Sequence, residues 1–355
     1  MSRFFSKKYS SLKAYVPGEQ PKERKYIKLN TNESPYPPSP EVIEAAAREA
    51  GQLQLYSDPE CTPLALECAK LFSVEREMVL MTNGSDEILN FAFMAFGDEK
   101  HPFVFPEITY GFYSVFAELN HVPYREIPLR EDFSIDYRDY LSVGANVVIA
   151  NPNAPTGMTL TLFEIEEIVK SNKDYVVIID EAYVDFGAES AVTLTHKYDN
   201  LLVTQTFSKS RSLAGARLGF GIANKELIRD LNTIKYSTNP YNVNRMTMMA
   251  GYAALRTNGY YMDNCRRIIE TRAYTREALT SLGFSVLPSC ANFLFAKCSF
   301  ISGEELYLTL KSRGFLIRHF SKERIKDYNR ITIGTREEME LLIAEIKKIV
   351  EEKRK

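Results

Sequence analysis

At 355 residues the chain has length for about two domains and a substantial buried core. Its hydrophobic fraction of 45% and charged fraction of 25% are those of an ordinary globular protein, and a net charge of −2 provides no field for nucleic acid or a membrane surface, so the expected partner is a small molecule. Five cysteines, at 61, 68, 265, 290 and 298, form no Cys-x-x-Cys pair and have only four histidines for company, so they read as free thiols of a reducing cytoplasm and no metal site is expected.

The N-terminus is basic and polar, without the apolar core of a signal peptide, and no segment has the apolar length of a membrane span, so nothing marks export. Residues 1–40 are rich in Pro, Tyr and Lys, and the run Ser34-Pro35-Tyr36-Pro37-Pro38-Ser39-Pro40 is too proline-dense for a helix or central strand. This stretch reads as an ordered arm. Ser39 as a cap and Pro40 at the first helical position predict a helix over 41–50 that stops at Gly51, and a second helix is expected from 62 or 63 to 72. Residues 78–81 read as a short apolar strand, followed by a turn over 82–87 and an apolar helical run over 88–96.

The theme repeats with a strand at 103–105 before a helix over 110–119, and a strand at 147–150 before a loop and a helix over 162–170. Strands at 176–179 and 201–206 follow. Such alternation predicts a mainly parallel sheet covered on both faces. From Asn244 onward helices dominate, over 259–282 and 303–313, with short strands at 292–296, 315–318 and 330–333 and a charged terminal helix. The expected division is an arm over 1–40, a large domain over 41–249 and a smaller α+β domain over 250–355.

Several side chains fall at strand ends, where open α/β sheets bind ligands. Gly84-Ser85-Asp86 sits between a strand and a helix, where free backbone N–H groups welcome an anion such as phosphate, although Ser and Asp are also common helix caps. Asp180 follows four apolar residues, so its carboxylate is partly buried and needs a partner: a protonated ring nitrogen, or else an ion pair or a cap. Tyr183 can offer its hydroxyl to the same ligand. Tyr110 can lay its ring on a flat heteroaromatic, though among 21 tyrosines core packing is the default. Two prolines and a terminal glycine stiffen the loop Asn151-Pro152-Asn153-Ala154-Pro155-Thr156-Gly157.

The apolar run before Thr206-Phe207-Ser208-Lys209 delivers Lys209 to a strand end. An isolated lysine there is a solvated loop residue. In a partly closed pocket near Arg217, desolvation and like charge favour the neutral amine, which attacks carbonyls, while Arg217 can close on a phosphate bidentately. Together these residues match what pyridoxal phosphate demands: a lysine for its aldehyde, a carboxylate for its ring nitrogen, and dipoles with a guanidinium for its phosphate.

On the motifs Leu29-Asn30-Thr31-Asn32-Glu33-Ser34-Pro35-Tyr36, Tyr56-Ser57-Asp58, Asn83-Gly84-Ser85-Asp86-Glu87, the 151–157 loop, Asp180-Glu181-Ala182-Tyr183, the 206–220 stretch, Asn292-Phe293, Leu316-Ile317-Arg318 and Arg330-Ile331-Thr332-Ile333-Gly334-Thr335, nearly the whole chain resembles the fold-type I pyridoxal-phosphate-dependent aminotransferases. Within them it is similar to the branch that works on L-histidinol phosphate. The resemblance implies a seven-stranded, mainly parallel sheet between helices in the large, cofactor-binding domain. The arm then joins the small domain or a dimer interface.

By the same resemblance Lys209 is the Schiff-base lysine and carries a proton between the substrate's α-carbon and the cofactor's C4′. Asp180 keeps the ring nitrogen protonated, Tyr183 bonds the ring hydroxyl, and Tyr110 stacks on the ring. The phosphate meets Gly84, Ser85 and Asp86 with Thr206, Ser208 and Arg217, and Tyr56 reaches the neighbouring subunit's cofactor in a homodimer. Tyr15, Asn32, Arg318 and Arg330 meet the substrate pair, L-histidinol phosphate and 2-oxoglutarate or glutamate, in histidine biosynthesis. An aromatic amino acid aminotransferase and a threonine-phosphate decarboxylase share these motifs, whereas a non-catalytic cofactor-binding module would need a DNA-binding segment that the chain lacks. One departure is Ala154, which stands where the family has an asparagine for the ring hydroxyl; Asn153 is the candidate to replace it. Ser34 and Ser57 also depart from the common pattern, away from the chemistry.

Overall fold

Seven strands make the larger sheet: β1 (Val79–Thr82), β2 (Phe103–Pro106), β3 (Tyr124–Ile127), β4 (Asn146–Ala150), β5 (Val177–Asp180), β6 (Leu201–Thr206) and β7 (Gly219–Ala223). In the computed structural model, which describes residues 2–21 and 23–354, their spatial order is β1-β7-β6-β5-β4-β2-β3. From β6 through β3 every pairing is parallel; β7 alone runs against its two neighbours, β6 and β1. The chain is thus α/β with a mainly parallel sheet.

The central strands are continuous apolar runs because helices cover both faces. Alternation still sorts their side chains. Val147, Ile149, Val177, Ile179, Leu201 and Val203 enter one core, while Val148, Ala150, Ile178 and Leu202 enter the other. Two strands carry no such signal. β3 is an edge strand with Tyr124, Arg125 and Glu126 exposed, and β7 contains Gly219 and Gly221, which weaken a strand's apolar pattern. Both glycines serve close packing: a Cβ on Gly219 would stand 2.4 Å from Ser85 N, and one on Gly221 2.2 Å from Ile88 Cδ1. The first turn of the helix Ser85–Phe96 therefore lies directly on β7.

That helix starts three residues before the expected apolar run, at Ser85, and the helix expected from Tyr110 spans Phe112–Asn120. Tyr110 precedes its helix and is free to turn its side chain elsewhere. Helix Pro40–Ala50 has its proline at the first position, as expected, and ends before Gly51.

A smaller antiparallel sheet of β8 (Phe284–Val286), β9 (Phe293–Cys298), β10 (Arg318–His319) and β11 (Tyr328–Thr332), ordered β10-β11-β9-β8, packs with helices Gly303–Ser312 and Arg336–Lys353. In the arm, Ile27–Lys28 pairs in parallel with Phe315–Leu316, which lays the arm on this second unit. Ala250, Ala254, Leu255 and Tyr261 belong to the core of the larger unit, and Cys265, Ile268 and Leu279 to that of the smaller. The passage between the two cores therefore runs along helix Asn258–Ser281. Among the described residues no helix is long and apolar enough to cross a membrane.

Candidate active site

The carboxyl ends of β5 and β6 open into two joined cavities. The inner one, of about 120 Å³, is lined by Ser85, Asp86, Asp180, Thr206, Ser208 and Arg217; the outer, of about 620 Å³, by Tyr15, Asn32, Arg318 and Arg330. Tyr110, Ala154, Tyr183 and Lys209 line both. Lys209 stands at their junction.

Asp180, the last residue of β5, is 3% exposed. Its Oδ2 accepts from Tyr113 OH at 2.9 Å and its Oδ1 from Ala182 N at 3.2 Å and Thr204 Oγ1 at 3.5 Å. Burial pushes this carboxyl up to about 6, against the pull of the Tyr113 bond. Tyr113 was not foreseen. It follows Phe112 in an apolar helix, and no local signal separates it from a packed core tyrosine.

The helix Ser85–Phe96 has no side-chain cap: Gly84 precedes it at φ +83°. No side chain caps this end, and Ser85 and Asp86 line the inner cavity, so the helix end faces it with N–H donors that an anion could take. Asp86 turns its carboxylate to Tyr110 OH (2.7 Å) and Arg217 Nη2 (3.1 Å). Burial, and then the Asp86 charge, raises the Tyr110 hydroxyl far above its ordinary range. Arg217 Nη1 also donates to Ser208 Oγ at 3.2 Å, and Ser208 Oγ lies 3.0 Å from Thr206 Oγ1. A Cβ on Gly84 would meet Arg217 Nη2 at 2.8 Å, so this glycine lets the guanidinium rest on the helix end.

Lys209 Nζ donates to the carbonyl of Thr31 at 3.0 Å and lies 5.8 Å from the Tyr183 ring centre. Tyr183 OH accepts from Asn32 Nδ2 at 2.9 Å. From the small unit, Arg330 is sandwiched near Phe293 (5.4 Å) and Phe320 (5.9 Å) and donates to Asn30 O at 3.0 Å, while its Nε is buried with no partner. Burial lowers its pKa from the ordinary value. Arg318 reaches the arm carbonyls of Pro17 and Val16 at 3.3 and 3.4 Å. Tyr15 stacks on Phe112 at 4.1 Å.

Two expected residues stand apart. Asn153 does not face either cavity. Its Nδ2 donates to Ile108 O (3.0 Å) and Thr156 Oγ1 (3.1 Å) and its Oδ1 accepts from Thr109 Oγ1 (2.8 Å), so its polar atoms are consumed in holding the loop. The methyl of Ala154 faces the cavity instead, and Asn153 does not substitute for a ring-hydroxyl partner. Tyr56 is 80% exposed, stacked on Tyr241 at 4.6 Å, and lines neither cavity.

The residues gathered here fit a flat, protonatable ring bearing a phosphate and a carbonyl. A family model, aminotransferase class I and II, matches residues 24–346. The chain belongs to the class I and II aminotransferases. It is 51% identical to a histidinol-phosphate aminotransferase of Brachyspira hyodysenteriae over 99% of both chains. To one of a Marinomonas species it is 49% identical, over 98% of this chain and 99% of that one. The solved histidinol-phosphate aminotransferase of Sinorhizobium meliloti, in complex with pyridoxal-5′-phosphate, matches at TM-score 0.89 over 99% of both chains and 22% identity, a likeness of fold. This aminotransferase is a pyridoxal-phosphate-dependent transaminase, acting between an amino donor and a 2-oxo acid.

A second buried acid adjoins Asp180. Glu181 accepts from Ser190 Oγ (2.6 Å), Ala191 N (2.6 Å) and Gln205 Nε2 (2.8 Å), yet burial still pushes it up to about 7. A carboxyl whose folded pKa exceeds its unfolded value binds its proton more tightly when folded, so the stability it contributes is complete below about pH 4 and is lost as pH rises through about 6 to 7. Denaturant titrations of cofactor-free protein are expected to show falling stability across that window, with a flatter profile for an Asp180→Asn/Glu181→Gln double variant. Superimposed profiles would show that the two acids ionise normally.

Proposed function

We propose that this aminotransferase moves an amino group between L-histidinol phosphate and 2-oxoglutarate, with Lys209 as the covalent anchor of pyridoxal phosphate. The observation that carries this reading is the pair Arg318 and Arg330 facing the outer cavity beyond Lys209, Arg330 with its Nε buried and unpaired. An anionic group at the far end of an amine substrate satisfies that guanidinium, and one pocket then serves a phosphate in one half-reaction and a carboxylate in the other. The 51% identity to the Brachyspira enzyme supports the phosphorylated donor.

When bound, the cofactor supplies the carbonyl that takes up the amino group and the electron sink that lets the α-hydrogen leave as a proton. Asp180 holds the proton on its ring nitrogen. The Ser85 and Asp86 N–H groups, with Thr206, Ser208 and Arg217, would hold its phosphate, with Gly84 leaving the helix end open, and Tyr110 would cover its ring. Lys209, placed between the two cavities, would take up and return the proton that the substrate's α-carbon loses. Tyr15, with Arg318 and Arg330, orients the substrate and closes the mouth to water. Asn32, expected to touch substrate, has both polar side-chain atoms engaged by Tyr183 and Thr332. Tyr56 completes the phosphate site of a neighbouring subunit in a homodimer, in the cytoplasm. Its exposure, with Leu53, Leu55 and Tyr241 also exposed, supports a covered face there.

Purified protein supplied with pyridoxal phosphate, L-histidinol phosphate and 2-oxoglutarate is expected to form glutamate, with kcat/KM for this donor about 10²-fold above that for phenylalanine, since a site built for a polar group rejects analogues lacking it. Turnover confined to phenylalanine or tyrosine would move the assignment to an aromatic aminotransferase. Carbon dioxide released from threonine phosphate would make it a decarboxylase.

A further inference from the structure

Asn32 adopts the left-handed region, φ +58°, which asparagine enters more readily than most residues, and its surroundings hold it there. They do so at three points. Its backbone N–H donates to Thr332 Oγ1 at 3.0 Å, its carbonyl accepts from Asn292 Nδ2 at 2.9 Å, and its side-chain Oδ1 accepts from Thr332 Oγ1 at 2.8 Å. Asn32 and Thr332 are both buried, at 1% and 2% exposure.

The two bonds with Thr332 decide which way the Asn32 amide faces. The threonine oxygen already receives the Asn32 N–H, and its own proton has Oδ1 as its acceptor. Turning the amide over would place N–H groups against that hydroxyl and strand its buried proton, so the oxygen stays on the Thr332 side and Nδ2 faces Tyr183. Nδ2 then donates to Tyr183 OH at 2.9 Å. A phenol oxygen that receives this bond keeps its own proton for another acceptor. Tyr183 lines both cavities, and Ala154, which lines them too, has only a methyl to offer.

We propose that Thr332 and Asn32 are positioning residues: a one-way hydrogen-bond relay from the small unit that aims the Tyr183 proton at the ring hydroxyl oxygen of the bound cofactor. The inference rests on the cofactor reading above. A hydrogen bond donated to that oxygen stabilises its anion and so lowers the pH at which the Lys209-linked chromophore loses its proton. The other titratable or charged groups around Tyr183 are Lys209 on the loop after β6, Arg330 on β11, Tyr15 on the arm and Tyr113 on helix Phe112–Asn120, and none of them hydrogen-bonds the Thr332 hydroxyl, whose partner is Asn32.

The test is a spectrophotometric pH titration of the cofactor-loaded enzyme with Thr332→Val and Thr332→Ser, each also placed in a Tyr183→Phe background. Thr332→Val is expected to bind the cofactor, to raise the chromophore pKa by about half to one unit and to lower kcat about three- to tenfold, with KM for the amino donor within about twofold. Thr332→Ser keeps the hydroxyl and should titrate as wild type. In the Tyr183→Phe background Thr332→Val should shift nothing further. Thr332→Ala serves in place of valine if the second methyl disturbs folding. A wild-type titration in Thr332→Val, or a shift of equal size in the serine variant, would overturn the relay while leaving the cofactor reading intact. Wild-type protein that retains no cofactor band after unbound pyridoxal phosphate is removed by gel filtration would overturn both.

Discussion

Lys209→Ala is expected to bind pyridoxal phosphate, to resist covalent labelling by borohydride, and to turn over at least about 10⁴-fold more slowly than wild type. The variant loses two roles at once. In the function proposed above, the amine at the junction of the cavities, 3.0 Å from the Thr31 carbonyl, is both the covalent anchor and the proton carrier. Binding survives because the phosphate side is built from other parts: an uncapped helix end, Thr206, Ser208 and Arg217. Mass spectrometry after reduction reads the result directly. If the alanine variant is still labelled, another lysine is the anchor.

For Asp180→Asn the expected loss in kcat is on the order of 10²–10³-fold, because an amide cannot stabilise the charge of a protonated ring nitrogen. The same change should leave cofactor-free protein at neutral pH as stable as wild type or more so. It removes a buried carboxylate whose ionisation burial opposes, while an amide oxygen still accepts from Tyr113. Activity and stability moving in opposite directions distinguish a working carboxylate from a structural one. Near-normal turnover, or a large loss of stability, would remove Asp180 from the ring-nitrogen role.

Much of this site was legible from one dimension. Four apolar residues in front of Asp180 and six strand residues in front of Lys209 announce buried strands, and a buried strand delivers whatever follows it to the sheet's ligand edge. What stayed hidden were partnerships across long stretches of chain. Nothing local says that Tyr113 will bond Asp180, or that Thr332 will hold Asn32, because such bonds depend on how packed elements align and not on residue type. The 151–157 loop shows the same limit from the other side. Asn153 turns away from the cavity that Ala154 lines because Thr156 in the loop and Ile108 and Thr109 beyond β2 take its polar atoms. Strands β3 and β7 carry no strand signal in their composition, one exposed at an edge and one thinned by glycine.

The reversed strand β7 joins two parts of the site. Asp180 and Lys209 stem from β5 and β6 in the middle of the sheet, whereas the helix end at Ser85 stems from β1 at the rim, joined to the rest of the sheet through β7 alone. The proposed phosphate site therefore draws one half from the rim and the other, Thr206 and Ser208, from the end of β6 that also carries Lys209, so the two halves meet only if β7 holds β1 and β6 in register.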